Sequence, residues 1–312
     1  MRLSRQRNDS AGLVLGHYSS GRNLVFNGKF AASRSHFEEV RALYDPISHR
    51  SLVHQAGNHL QIISQAWLGN VLFCLGYPDQ ALARINAAIA EARRLAHPPS
   101  LAGSLSVGIR PLSLVGENAA LNDRADELIA VATEQGFALW HALGKIYRGW
   151  VKLKNGDVAE GTSLLRSGLV AVRDTGTEAY IPYYIALLAG ACEIAGKIEE
   201  AVTQLDEALQ IVERTGERWF AAELNRHKGQ LLLRQGHPEA AEELYRKALT
   251  IAQEQGAKLW ELRAALSLAR LRRDQTRRTE ARDLLAPVYD WFTEGFNTPD
   301  LKEAKTLLDE LA

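Results

Sequence analysis

Apolar residues recur along this chain with the spacing of an amphipathic α-helix. Between residues 196 and 216 the apolar positions follow one another at steps of three, four, three, one and three, at Ile198, Ala201, Leu205, Ala208, Leu209 and Val212. Such steps place the apolar side chains on a single stripe of a helix. No segment alternates apolar and polar residues with the period of two that a strand needs. The pattern predicts an all-α fold.

The helical pattern repeats at a fixed interval of forty positions, which is the distance from Gly76 to Gly116. One turn position recurs at Gly76, Gly116, Gly156, Gly196, Gly236 and Thr276, and an earlier copy stands at a wider interval, at Gly28. Small residues recur seven positions before most turns and five positions after them, which allows two helices to approach closely. A second series predicts a left-handed residue at the end of each second helix, at Gly136, Gly176, Gly216 and Gly256.

Paired helices that repeat at a fixed offset are typical of solenoids, in which each hairpin packs on its neighbours. The spacing of small residues around the turn resembles the tetratricopeptide signature, whose usual period is about 34 residues. We therefore predict a right-handed, tetratricopeptide-like solenoid of about seven helix hairpins. The longer period of this chain is expected to lengthen the helices.

The regular pattern covers residues 11–296. Residues 1–10 are expected to form a flexible segment, and residues 297–312 are expected to form a helix that caps the solenoid. The pattern is interrupted at two places. Extra residues between the first two units lie around residues 46–60, and Pro111 falls inside an expected helix, where proline predicts a kink or a break.

Composition disfavours several classes of partner. Lys plus Arg and Asp plus Glu both number 37, so the net charge is zero and nothing favours a nucleic acid or an anionic membrane. The two cysteines, Cys74 and Cys192, are too few and too far apart for a disulfide framework or a zinc site. No apolar run reaches the ~18 residues of a membrane span, and the N-terminus lacks the apolar core of a secretory signal. A cytoplasmic protein is expected.

The sequence contains no motif of an enzyme. Residues Gly190–Ile198 have the glycines of a phosphate loop one position too far apart, and an isoleucine stands where a hydroxyl is needed. Residues Gly103–Gly108 have one residue too many for a hydrolase elbow. His49, His54 and His59 are spaced by five, whereas metal-binding pairs on a helix are spaced by three or four. We expect no catalytic residue, no metal site and no cofactor.

Two further series have both a structural and a functional interpretation. Four aromatic residues that recur at the interval of the repeat could stack on a ligand, but the favoured interpretation is packing between units, at Trp140, Tyr180, Phe220 and Trp260. Five arginines near the C-terminus could meet an acidic partner, but the favoured interpretation is a solvated edge, at Arg270, Arg272, Arg273, Arg277 and Arg278. Acidic residues at the starts of second helices complement the helix dipole and indicate no catalytic pair.

One position in the first helix of each unit is expected to face the concave side of the solenoid. It follows the small position by one residue and is mostly polar or aromatic, at Arg22, Asn70, Arg110, Trp150, Gln230 and Arg270. Arginine and tryptophan dominate binding hot spots, and peptides commonly fill grooves of this kind. We therefore predict that these residues form a groove that binds a peptide or an acidic segment.

Several segments are similar to the repeat region of a bacterial signalling family: ALYDPISHRSL, LGYPDQALAR, ATEQGFALW, RTGERWFAAELNRHKGQLLL, LRAALSLARL and LLAPVYDWFTEGFNTPDLKEAKTLLDEL. In that family a class III adenylate or guanylate cyclase domain and an AAA- or STAND-type ATPase domain precede the tetratricopeptide repeats. The resemblance runs from about residue 11 to the end and implies a role in signalling. It implies no cyclase or ATPase activity, because it covers the repeat region alone.

These observations favour a non-enzymatic scaffold of a bacterial signalling system. Its concave groove would bind a peptide or a partner protein, for example a cyclase or ATPase domain. The alternative is a small-molecule sensor arm of a STAND-type regulatory ATPase or cyclase, since such arms contain helical repeats that are longer than usual. A thermal-shift measurement with a panel of metabolites would distinguish the two functions, because only a sensor gains stability from a small ligand.

Overall fold

The structure, a computed structural model, describes residues 1–312 and consists of helices and the turns between them. The seventeen α-helices are α1 (Arg2–Gln6), α2 (Ser10–Phe26), α3 (Phe30–Leu43), α4 (Leu52–Ala56), α5 (Leu60–Cys74), α6 (Pro78–Arg94), α7 (Pro98–Val115), α8 (Asn118–Gln135), α9 (Ala138–Lys154), α10 (Val158–Asp174), α11 (Ile181–Ile194), α12 (Ile198–Thr215), α13 (Ala221–Arg234), α14 (Pro238–Gln255), α15 (Lys258–Asp274), α16 (Arg278–Asp290) and α17 (Pro299–Glu310). The all-α prediction is confirmed. None of these helices combines the length and the apolar character that crossing a membrane requires.

Seven helix hairpins stack in sequence to form a right-handed solenoid: α2–α3, α5–α6, α7–α8, α9–α10, α11–α12, α13–α14 and α15–α16. The second helices from α6 to α16 begin at positions 78, 118, 158, 198, 238 and 278, so the predicted interval of the repeat is confirmed. Helices within a hairpin pack on each other, and neighbouring hairpins pack in chain order. The first helices form one face of the stack, as in other solenoids of paired helices.

The turns depend on residues in the left-handed backbone conformation. The glycines at the predicted turn position have φ angles from +68° at Gly28 to +94° at Gly156. Thr276 occupies the equivalent position in the last hairpin with φ of +63°. The second glycine series ends second helices as predicted, for example at Gly136 after α8 and Gly256 after α14. Glycine adopts this conformation at little cost, so single positions set where each helix stops.

Small residues allow the two helices of a hairpin to lie close together. A Cβ atom added to Gly149 in α9 would lie 2.9 Å from the carbonyl oxygen of Gly161 in α10. In the second hairpin, a Cβ atom on Gly69 would lie 2.6 Å from Ile85 and 2.8 Å from the carbonyl oxygen of Ala81. Such distances are shorter than van der Waals contact, so a larger residue would force the helices apart.

The sequence predicts a kink or a break at Pro111, and helix α7 continues through this residue to Val115 without a break. Proline inside a helix removes one hydrogen bond and costs about 3 kcal/mol. The residues on both sides of this proline are buried, including Leu105 and Leu112, because α7 packs on α5, α6 and α8. Tertiary packing therefore outweighs the local cost. Helix α16 likewise continues through Pro287.

The insertion between the first two hairpins contains the short helix α4. His49 connects this insertion to α2, because its Nε2 atom lies 2.8 Å from the Ser10 hydroxyl. The backbone amide of Asp45 donates to His49 Nδ1 at 2.9 Å. His59 lies instead beside His97, with ring centroids 4.7 Å apart. These histidines therefore make separate contacts, and no three side chains of metal-ligating types converge in the structure.

The first two hairpins contact the C-terminal part of the solenoid. The backbone amide of Arg218 donates to the carbonyl oxygen of Phe26 at 2.6 Å, which joins the turn before α13 to the first hairpin. At a second point, the amide of Gly295 donates to Asp79 Oδ2 at 3.0 Å, and the amide of Asp79 donates to Glu294 at 2.9 Å. We call these hydrogen bonds the closure contacts. Through them the solenoid closes on itself.

Aromatic rings fill the space beside the closure contacts. Phe26, Trp67, Tyr180 and Trp219 form an aromatic cluster in which neighbouring ring centroids lie 5.0–6.2 Å apart. Trp219 is 1% exposed, and its indole N–H donates to Glu217 at 2.9 Å. Each aromatic pair adds about 0.5–1.5 kcal/mol to the stabilisation that comes from burial. The aromatic cluster therefore contributes much of the stability of the closed form.

Both ends of the chain contain helices. Within residues 1–10, α1 packs on α2, and Asp9 caps α2 by accepting the amide of Gly12 at 2.9 Å. Within residues 297–312, α17 packs on α15 and α16. The buried side chains of α17 join the apolar core of the last hairpin, at Leu301, Ala304 and Leu307.

His17 in α2 predicts a dependence of stability on pH. It is buried, and its Nδ1 atom lies 3.1 Å from Nδ1 of His36 in α3. Burial, and then the neighbouring His36, lowers the pKa of His17 below its ordinary value of 6.5, which Glu39 opposes only in part. The unfolded chain therefore binds a proton at higher pH than the folded chain does. The free energy of unfolding consequently decreases as pH falls from the ordinary histidine pKa of 6.5 towards the lowered pKa of His17.

We expect the melting temperature, followed by circular dichroism, to fall between about pH 7.5 and about pH 5.5, and to fall less in a His17→Gln variant. The same fall in both proteins would show that His17 does not contribute to the acid sensitivity.

Candidate ligand-binding cavity

A cavity of about 740 Å³ lies on the inner face of the solenoid. The first helices of four hairpins, α9, α11, α13 and α15, form its walls, and the end of α7 and the start of α17 complete it. The lining residues of each helix follow the spacing of one helical stripe. On α13, for example, they are Glu223, Arg226, His227, Gln230 and Arg234. One stripe of each first helix therefore faces a common space.

Three of the six predicted groove residues line this cavity: Trp150 on α9, Gln230 on α13 and Arg270 on α15. They meet because the repeat places them at equivalent positions of successive first helices. The equivalent residue on α11 is Gly190, which also lines the cavity. A Cβ atom on Gly190 would lie 3.2 Å from the ring of Trp150, so the absence of a side chain lets the indole lie against α11.

The other three predicted residues lie outside the cavity. Arg110 is 3% exposed, with its guanidinium 4.1 Å from the ring centroid of Tyr180 and 5.4 Å from that of Trp67. Arg22 is exposed, and its guanidinium lies 5.7 Å from the same Trp67 ring. Asn70 is 2% exposed. The aromatic cluster covers this part of the inner face, so the six residues do not share one open surface.

Lys154 presents a positive charge without a carboxylate partner. It follows Trp150 by one helical turn, and its ammonium lies 4.6 Å from the centroid of the indole. Burial lowers the pKa of Lys154, and the charge of Glu193 opposes this effect without a hydrogen bond between the two. A cation beside an aromatic ring gains about 0.5–2 kcal/mol. The indole therefore holds the ammonium in place while leaving its charge available.

Glu193 on α11 is the centre of a hydrogen-bond network. His227 Nε2 lies 2.9 Å from Glu193 Oε2, while Arg234 and Gln230 donate to Oε1 at 2.8 and 3.2 Å. Burial alone would raise the pKa of Glu193, but His227 and Arg234 hold it below its ordinary value. The carboxylate therefore stays ionised at neutral pH, and both of its oxygens are occupied.

A second network joins four helices at one end of the cavity. Glu223 accepts hydrogen bonds from Arg226 at 2.7 Å and from Arg263 at 3.1 Å. Arg263 also pairs with Asp300 at 2.9 Å and donates to the carbonyl oxygen of Leu114. Burial alone would raise the pKa of Glu223, but the two guanidinium groups outweigh burial and lower it. Arg263 thus connects the end of α7 to α13, α15 and α17.

The lining contains one more permanent cation than carboxylates. The cations are Lys154, Arg226, Arg234, Arg263 and Arg270. The carboxylates, each of which is paired with one of the four arginines, are Glu193, Glu223, Asp300 and Glu303. The cavity therefore combines hydrogen-bond donors, aromatic and apolar surface and a small excess of positive charge, which are properties of sites for polar organic ligands.

The sequence prediction identified one position of each first helix and missed the rest of the stripe. Glu193, Arg226 and Arg263 make most of the hydrogen bonds within the cavity, and none of them is among the predicted residues. A signal for some of them is present in the sequence. Residues three and four positions away share a helical face, and Arg226 precedes Gln230 by four.

The repeating aromatic series packs in the core, as its favoured interpretation predicts. Tyr180, Phe220 and Trp260 are buried, and the ring centroids of Phe220 and Trp260 lie 5.5 Å apart. Trp140 is partly buried and lies 4.8 Å from the ring of Phe137. Phe220 and Trp260 therefore bridge neighbouring units.

Arginines of the C-terminal series pair with acidic residues of the same chain. Arg273 forms a salt bridge with Glu310 at 2.7 Å, and Arg277 forms one with Glu280 at 2.5 Å. All four side chains are substantially exposed, so each bridge contributes little stability. The pairing reduces the local excess of positive charge and favours the interpretation as a solvated edge.

A family model described as tetratricopeptide repeat matches residues 182–254, which run from α11 to α14. The fold is a tetratricopeptide-like solenoid. An uncharacterized protein of Rhizobium meliloti (strain 1021) is 28% identical over 239 residues, which cover 74% of this chain and 22% of that protein. This chain therefore matches a region of about one-fifth of that relative's length.

Solved structures show the same architecture. A Rap protein complexed with competence and sporulation factor has a TM-score of 0.59 at 12% identity, covering 96% of each chain. NprR in complex with its cognate peptide NprX has a TM-score of 0.60 at 13% identity, covering 96% of this chain and 82% of NprR. The apo form of the quorum sensor NprR from B. thuringiensis has a TM-score of 0.55 at 14% identity, covering 95% and 81%. The TM-scores establish a common fold, and at identities this low the likeness shows the fold alone.

Proposed function

We propose that this chain is a non-enzymatic module that binds a peptide, or a peptide segment of a partner protein, in the cavity on its inner face. The observation that carries the proposal is the cavity itself. Its volume of about 740 Å³ falls in the range of about 300–1,000 Å³ that is usual for ligand pockets. Four successive hairpins contribute to it, so its shape depends on the whole C-terminal half of the solenoid.

The chemistry of the lining suits a peptide. Trp150, Leu187 and Phe220 provide apolar surface, and Gln230 and His227 provide groups that can bond to peptide amides and carbonyls. Two proteins of similar fold, Rap and NprR, have solved structures with competence and sporulation factor and with a cognate peptide, respectively. These likenesses support a peptide ligand and leave its sequence open.

The proposal predicts that filling the cavity abolishes peptide capture. Ser267 lines the cavity on α15, and a Ser267→Trp variant would place an indole inside it. The matched control is Ser167→Trp on the exposed surface of α10, where the serine also bonds only within its own helix. The measurement is affinity selection from a synthetic pool of N-acetylated, C-amidated octapeptides, followed by titration calorimetry of the selected peptides.

We expect wild type and Ser167→Trp to bind the selected peptides alike, and Ser267→Trp to bind them at least about tenfold more weakly, because the indole occupies the ligand's space. Failure of the wild type to select any peptide, either from this pool or from one with free carboxyl termini, or equal binding by both tryptophan variants, would show that the cavity is not a peptide site.

The proposed setting is a cytoplasmic signalling protein of bacteria. The support is the similarity of several segments to repeat regions that follow cyclase and ATPase domains, together with a Rhizobium meliloti relative several times longer than this chain. In this setting the bound segment would belong to a class III cyclase domain or a STAND-type ATPase domain. Pull-down of such purified domains by wild type but not by Ser267→Trp tests this partner assignment.

The cavity also supports a second candidate function, as the small-molecule sensor arm of a regulatory ATPase or cyclase. The network around Arg263 gathers several hydrogen-bonding groups in one part of the lining, and a few convergent polar groups suit a compact ligand. A thermal-shift screen against a metabolite panel tests this alternative, because a ligand that binds only the folded chain raises its melting temperature. A metabolite that stabilises wild type but not Ser267→Trp would favour the sensor over the peptide module.

A further inference from the structure

Lys154 differs from every other cation of the cavity. The four arginines are each held by a carboxylate of the lining, as in the pairs Arg234–Glu193 and Arg270–Glu303. Lys154 has only the ring of Trp150, at 4.6 Å from its ammonium. Because no carboxylate of the chain forms a salt bridge with the Lys154 ammonium, an anion placed beside it would form an ion pair that the chain itself does not supply.

The surroundings of Lys154 are fixed in a way that keeps its charge available. The indole of Trp150, a residue of α9, packs against α11, where Gly190 leaves room for it. The carboxylate whose charge acts on the ammonium belongs to Glu193, and its oxygens already accept hydrogen bonds from His227, Arg234 and Gln230. Glu193 therefore cannot turn to Lys154 without losing these partners.

The charges of the lining indicate that the ligand group beside Lys154 is negatively charged. Every carboxylate in the lining is already paired with an arginine, so a cationic ligand group would compete with a guanidinium for it. A ligand carboxylate can bind Lys154 without breaking any ion pair of the chain. Hydrogen bonds in which both groups are charged are also the stronger kind.

The position of Lys154 indicates a side-chain carboxylate and not a chain terminus. Lys154 is the last residue of α9 and is exposed, so it lies at the open side of the cavity. Elsewhere in the lining, Arg263 joins Leu114 and Asp300. A segment that crosses the four first helices would pass Lys154 with one of its side chains, whereas a chain terminus would meet Lys154 only if the peptide ended there.

We propose that the ligand is a peptide segment whose aspartate or glutamate side chain binds Lys154, with the apolar residue beside it on Trp150 and Ile194. This proposal rests on the peptide-binding function proposed above and names the chemistry of the ligand. Ile194 lines the cavity and is 44% exposed, so it offers apolar surface next to the charge.

The experiment uses three synthetic octapeptide pools with the complete chain. The first pool is N-acetylated and C-amidated and contains Asp and Glu. The second is identical except that Asn and Gln replace Asp and Glu. The third contains no Asp or Glu but has a free carboxyl terminus. Dissociation constants are measured for wild type, Lys154→Gln and the matched control Lys152→Gln, whose lysine lies on the same helix and pairs with Glu160 outside the cavity.

We expect wild type to bind acidic peptides of the first pool about two- to fivefold more tightly than their Asn or Gln counterparts, since an ion pair made by an exposed ammonium is worth less than one order of magnitude in affinity. Lys154→Gln should remove this preference, and Lys152→Gln should retain it. Raising the salt concentration should reduce the preference in wild type, which gives a second measurement that does not depend on a variant.

Other outcomes overturn the proposal in distinguishable ways. Equal binding of the first two pools would show that no side-chain carboxylate is recognised, although peptide binding itself would stand. Selection from the third pool alone would assign the anion to the chain terminus. An acidic preference that survives in Lys154→Gln would remove the role of this lysine. Failure of all three pools would overturn the peptide-binding function together with this inference.

Discussion

Replacing Trp219 by alanine is expected to lower the free energy of unfolding by about 3–5 kcal/mol, the usual cost of removing a buried tryptophan side chain. Trp219 is 1% exposed, and its ring centroid lies 5.2 Å from that of Tyr180 and 5.0 Å from that of Phe220. The substitution would also remove the indole N–H that donates to the buried carboxylate of Glu217. Urea denaturation followed by circular dichroism measures the loss.

Two further variants test why the loss occurs. Trp140→Ala removes a tryptophan that is only partly buried and lies outside the aromatic cluster, so its cost should be clearly smaller. Trp219→Phe keeps a ring but loses the hydrogen bond to Glu217, and should lie between Trp219→Ala and wild type. If Trp140→Ala and Trp219→Ala cost the same, the aromatic cluster has no special part in stability.

Glu223→Gln is expected to destabilise the fold by about 3 kcal/mol, because it leaves the poorly solvated Arg226 without its counter-ion and leaves Arg263 with Asp300 alone. The Glu223 side chain is 4% exposed and accepts hydrogen bonds from Arg226 and Arg263. These arginines hold its pKa below the ordinary value against the effect of burial. The stabilisation is therefore present at neutral pH and is lost as pH falls through the lowered pKa. Chemical denaturation near pH 7 measures it.

The matched control for this substitution is Glu239→Gln. Glu239 is exposed in the first turn of α14, so its replacement should change the free energy of unfolding by about 0.5 kcal/mol or less. If Glu223→Gln is as mild as Glu239→Gln, or if its cost is undiminished at acidic pH where both proteins carry no charge at this position, the ion-pair explanation is wrong.

The helices and their offset could be predicted from the sequence because they depend on local signals. Turn positions such as Gly196 and Gly236 recur at one fixed interval, and second helices begin two positions after them. Pro111 shows the limit of such signals, since a local cost of about 3 kcal/mol is outweighed by packing that a local pattern does not contain.

The closure contacts could not be predicted in this way. Phe26 and Arg218 are separated by most of the chain, and they meet only because small rotations between successive hairpins accumulate. The sequence of a single repeat does not specify the angle of that rotation. The same limit explains the outcome for the groove residues. Arg110 has the phase of Trp150 and Gln230, but closure buries it while leaving the other two in the cavity.

The contact between Phe26 and Arg218 has a consequence for how this array can vary in length. An open array of repeats can gain or lose a unit because each unit contacts only its neighbours. Here, deleting or duplicating one hairpin between these two residues would move them apart by the rise and rotation of a whole unit, and their hydrogen bond would be lost. Duplication of a repeat, the ordinary way in which such arrays grow, is therefore disfavoured between these points.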